Sequence, residues 1–159
     1  MAKSKLRIQD EPALRQELET LILSSSQSLL VEWSIDVARR NLKVVELSEL
    51  ETKTIDSAFK TALAKTKGEV RAYDVRVAGF AVHQLVDSVQ DPIKISILRV
   101  CGQAVGVAHM REHAQVMADY AIKAINQKHP GDLEAVAMER RLQIESLQTF
   151  IRNQKEIAD

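Results

Sequence analysis

At 159 residues the chain has the usual size of one domain, and 45% hydrophobic against 28% charged residues, with only 5 Gly and 3 Pro, excludes a disordered or low-complexity protein. Lysine plus arginine and aspartate plus glutamate each total 22, so no net field directs the chain to nucleic acid or to an anionic membrane. Cys101, the one cysteine, excludes an intrachain disulfide and any zinc site built on several cysteines.

The N-terminal segment lacks the apolar run of a secretory signal, and Arg99 divides the best apolar stretch, so the expected location is cytoplasmic with no membrane contact. Apolar residues recur at the helical spacing of about 3.6 almost throughout. The expected fold is all-α: one domain over 1–159, a compact bundle or orthogonal array of six to seven helices, with residues 1–11 a flexible N-terminus and 155–159 a frayed tail.

The first helix is expected to start at Pro12, where a missing amide proton is harmless, with Asp10 and Glu11 near the unpaired N-terminal amides. Leu14, Leu18, Leu21 and Ile22 form its stripe, and the serine run from Ser24 ends it. The second spans Gln27 to Val45 with Trp33 as core anchor, and the third spans Thr52 to Thr66 and stops near Gly68. The fourth, Glu69 to Asp87, is apolar around most of its circumference through Val70, Val75, Val77, Phe80, Val82 and Leu85, which predicts a central helix.

Asp91 and Pro92 then cap a fifth, largely buried helix, in which Gly102 and Gly106 would let another helix backbone approach. The sixth begins at Val107 or Glu112 and runs to Asn126, before the stop Lys128, His129, Pro130, Gly131. The closing helix, Asp132 to Gln154, is expected to turn Leu133, Val136, Ala137, Leu142, Leu147, Phe150 and Ile151 inward.

The stretch GQAVGVAHMREHAQVMADYAIKAI, Gly102 to Ile125, contains His109, Glu112 and His113, which spell the inverted zinc-peptidase motif H-x-x-E-H. On one continuous helix the two histidines fall one turn apart, as two ligands of one zinc would, with Glu112 as an offset general base. A third ligand has no distinctive candidate, and on the same wheel Glu112 groups with Arg111, Gln115, Asp119 and Lys123 on the polar side. The expected role of His109 and His113 is therefore at the edge of a buried face, bonded to backbone, carboxylate or water.

His83 is expected in a polar network or solvated edge with Arg76 and Asp87, and His129 at a helix C-terminus. His83, His109 and His113 are thus the site candidates, with no catalytic residue, no metal ligand and no cofactor assigned. Cys101 reads as an inert buried thiol. The pairs Arg39, Arg40 and Arg140, Arg141 suit a solvated surface or an acidic partner.

With its flanking alanines, the same stretch gives A-H-x-x-x-H-A at Ala108, His109, His113 and Ala114. Together with LLVEWSIDVARRNLKVVEL around Trp33, KTKGEV followed by AGFAVHQLV, and ERRLQIESL, it resembles the bacterial immunity proteins of the Imm5-like, all-helical type. That resemblance implies a non-enzymatic cytoplasmic protein that binds a cognate protein toxin and neutralises it by stoichiometric occlusion, and it assigns no catalytic or metal-binding residue. The alternatives kept beside it are a small metal-binding or metal-dependent hydrolytic protein using His109 and His113, and an oligomeric helical scaffold packing through Gly102 and Gly106.

Overall fold

The computed structural model describes residues 3–158; residues 1, 2 and 159, the outermost part of the expected N-terminus and tail, lie outside the described residues. The described residues form an all-α array of seven helices: α1 (Pro12–Leu23), α2 (Gln27–Leu42), α3 (Glu49–Thr66), α4 (Ala72–Gln84), α5 (Pro92–Gly106), α6 (His113–Lys128) and α7 (Leu133–Ala158). A 3-10 turn, Leu85–Ser88, links α4 to α5. Among the described residues no helix is long and apolar enough to cross a membrane.

Local chemistry fixes most helix ends. Pro12 opens α1, while Asp10 accepts the Glu11 amide through Oδ1 at 2.8 Å instead of reaching into the helix. Asp91 accepts the Ile93 amide at 3.0 Å to cap α5. Helix α3 starts earlier than the expected Thr52, because Ser48 and Glu51 exchange bonds: Glu51 N to Ser48 Oγ at 3.1 Å, and Ser48 N to Glu51 Oε1 at 2.8 Å. This S-x-x-E capping box was present in the sequence and outweighs the weaker apolar signal of the first turn. Gly68 and Gly131, at φ +73° and +76°, take the left-handed turns that follow α3 and α6.

Helix α5 packs against α2, α3, α4 and α6, and α7 closes over α1, α2 and α6. Trp33 is fully buried and donates its indole N–H to the Gln143 carbonyl at 3.0 Å, tying α2 to α7.

Two expectations about facing are corrected. Helix α4 is not central: Val75, Gly79 and Val82 are buried, whereas Tyr73, Val77 and Phe80 are exposed. Its neighbours α3 and α5 cover one side only, and apolar character around a circumference does not create a covering partner. On α7, Val136, Ala137 and Leu147 are buried, but Leu133 and Leu142 are exposed, and the buried positions include Glu139, Arg140 and Gln143. The polar groups enter because facing helices supply their hydrogen-bond partners.

Candidate functional site

A cleft of about 270 Å³ opens between α4, α5 and the turn from Val107 to Glu112, and it gathers all three candidate histidines. Val75, Arg76, Gly79 and Phe80 contribute the α4 wall, Gly102 and Gly106 the α5 floor, and His109 and His113 the far end.

The H-x-x-E-H stretch is not one continuous helix. Helix α5 ends at Gly106, whose carbonyl accepts from both His109 N at 3.1 Å and Met110 N at 3.0 Å, and α6 starts only at His113. His109 therefore stands on the turn and His113 on the first turn of α6, yet their rings meet edge-on at 5.3 Å between centroids and 64° between planes. Glu112 is exposed, and among the described residues no group of three or more His, Cys, Asp or Glu is disposed to hold a metal ion.

Hydrogen bonding defines the protonation of two rings. The Arg99 guanidinium donates through Nη1 to His83 Nδ1 at 3.0 Å, so His83 is neutral with its proton on Nε2. Burial, then the charge of Arg99 and the nearness of His113, hold the His83 pKa at about 4, against an ordinary 6.5. His113 Nδ1 donates to the Gln103 amide oxygen at 2.6 Å, which leaves Nε2 as an acceptor. Burial and the neighbouring His109 lower the His113 pKa, with Glu112 opposing them. The His109 pKa is also lowered, by burial and by Arg76. The expected stripe of His83 with Arg76 and Asp87 is thus corrected in part: Arg76 shares the cleft, but the partner that touches His83 is Arg99 of α5.

A second polar assembly went unread in the sequence. Asp119, assigned above to the polar side of its helix, is only 2% exposed, and it accepts from Arg15 at 2.9 Å and Arg140 at 2.7 Å. Fully buried Arg140 also binds Asp10, at 2.7 and 3.1 Å, and donates to Gln143 at 3.0 Å. Gln143 bonds Glu139, whose carboxylate takes a two-point contact from Arg40 at 2.6 and 2.8 Å. The network joins the segment before α1 to α1, α2, α6 and α7. It splits each of the two arginine pairs: Arg40 and Arg140 turn inward, whereas Arg39 and Arg141 remain exposed beside Asp56 and Glu134.

One signal could have exposed this network. Arg140 and Gln143 sit on the same helical stripe as Val136, Leu147 and Phe150, where a polar residue implies a buried partner. Cys101 is buried, and burial raises its thiol pKa far above the ordinary range, which removes it as a nucleophile.

The fold and these sites define an all-helical protein whose polar chemistry goes into holding helices together and lining one shallow cleft. Residues 20–150 match the family described as Imm-5 like putative immunity protein, and the chain belongs to that family. No curated protein and no solved structure matches it.

Proposed function

We propose that the protein is an immunity protein that acts in the cytoplasm, binding a cognate protein toxin and neutralising it by stoichiometric occlusion rather than by catalysis. The observation that carries this reading is the family match over residues 20–150. The polar assembly supports it: every charged group of the Arg15, Asp119, Arg140 and Asp10 cluster is committed to another, as in a rigid scaffold that presents a surface. Preorganised surfaces bind without the cost of ordering loops.

Co-expression with the toxin encoded beside the gene tests the reading. The expected result is restored growth, together with a complex of fixed stoichiometry that co-purifies. Failure of the purified protein to bind that toxin, with no growth rescue, would overturn it.

A further inference from the structure

Helix α4 carries a contiguous exposed strip that leads into the histidine cleft. Tyr73, Val77 and Phe80 recur at i, i+4 and i+7, and they are 56%, 51% and 64% exposed. Single exposed apolar residues are ordinary on a protein surface, whereas three large ones on one helix face form an apolar strip that a partner can cover. Phe80 also forms part of the cleft wall, so strip and cleft are one surface.

The fixed charge in the cleft lining is a single arginine. Arg76 lines the cleft and makes no hydrogen bond or ion pair within the described residues, while Arg99, outside the lining, bonds His83. No carboxylate is among the described residues that line the cleft, and exposed Glu112 acts on it from beyond the rim, beside His113. Asp74, the acidic residue of α4, accepts the Arg71 amide at 2.9 Å and lies 3.5 Å from the Arg71 guanidinium, so it is already engaged. His83, with Nδ1 taken by Arg99, keeps Nε2–H as a further donor.

We infer that the toxin docks on this face, laying apolar side chains along Tyr73, Val77 and Phe80 and placing an aspartate or glutamate carboxylate in the cleft against Arg76. The inference rests on the immunity reading and names the surface and partner chemistry that serve it. A protein segment is the occupant because it covers strip and cleft together; a small anion would fill the cleft and leave the aromatic strip in water. Aromatic residues and arginine are also the side chains that concentrate binding energy at interface centres.

The test is the affinity of the full chain and its variants for the purified toxin, with thermal melts confirming that each variant is folded. Phe80→Ala and Arg76→Glu are expected to weaken binding roughly tenfold or more, whereas Leu133→Ala and Met138→Ala, at exposed positions of α7, stay within about twofold. Changing the matching toxin carboxylate to lysine should restore affinity to Arg76→Glu.

Wild-type affinity in both α4 variants would overturn the docking surface while leaving immunity standing. Loss in Phe80→Ala alone would overturn the carboxylate contact. An absence of wild-type binding would overturn the surface and the immunity reading together. A concentration-dependent dimer in sedimentation that Phe80→Ala abolishes would assign the face to a second copy of the chain and overturn the toxin assignment.

Discussion

The imidazole of His83 occupies the space that a side chain at Gly102 would need. A Cβ built on Gly102 falls on the ring, 2.6 Å from both of its nitrogens, and a Cβ on Gly106 falls 2.9 Å from Cδ2 of His113. The two glycines of α5 are ring-sized notches; the helix approach expected from their spacing occurs at Gly102, where α4 packs, while Gly106 seats the ring of His113. On the α4 side Gly79 serves that approach, its added Cβ lying 3.7 Å from the Gly102 carbonyl oxygen in ordinary contact.

Gly102→Ala sets two effects against each other. Alanine favours the helix by about 1 kcal/mol, whereas overpacking typically costs about 1–3 kcal/mol. Any shift of the ring disturbs its bond to Arg99. The single variant is therefore expected to lose about 1 kcal/mol, and the same change in a His83→Ala background is expected to gain stability. Urea unfolding of the four proteins in this cycle measures the reversal.

Asp119→Asn removes the charge that Arg15 and Arg140 share in the interior. Both guanidiniums stay buried, and breaking one partner of such a cluster typically costs about 3–5 kcal/mol. Thermal unfolding is expected to show that loss, with Arg141→Gln, an exposed arginine next in sequence to Arg140, close to wild type.

Stability should fall in acid in two stages. His83 keeps a pKa of about 4 when folded and 6.5 as the ordinary value, so the unfolded chain binds the extra proton between these limits. Its contribution is present above pH 6.5 and is lost as pH falls towards 4. His109, facing Arg76 and His113, and His113, facing His109 and Glu112, shift in the same direction. Hydrogen bonds and charge from Arg15 and Arg140 hold the Asp119 pKa below 3.8 despite burial, so its contribution persists above that value and is lost below it. Urea midpoints across pH 7 to 3 should decline, and His83→Ala should flatten the segment between 6.5 and 4. The His83 ring resonance followed by NMR should titrate near pH 4.

Cys101 should react with a thiol reagent only through unfolding. It is fully buried on α5, and burial holds the thiol protonated. Labelling rates in native buffer are expected to match the global opening rate and to rise with urea as unfolding does. Fast labelling of the folded protein would contradict this packing.

Much of the architecture was legible before any tertiary structure. Pro12, Asp91 with Pro92, Gly68 and Gly131 mark helix boundaries as expected, because caps and stops are settled within one turn of backbone. Trp33 was legible as core for a similar reason: a large apolar side chain on a helical stripe has one favourable direction. The α4 strip was not, since the sequence gives apolar spacing but not the number of helices that will cover it.

An all-α fold, the helix starts set by local caps, an inert Cys101 and a resemblance to the family that residues 20–150 then matched are all legible along the chain. That His83 meets Arg99 rather than Asp87, that Asp119 is buried, and that Gly102 and Gly106 seat imidazoles follow only from how the helices pack. The physical reason is range. Capping and periodicity act between residues a few positions apart, whereas Asp119 and Arg15 are 104 residues apart, and their burial becomes favourable only once each supplies the other's charge.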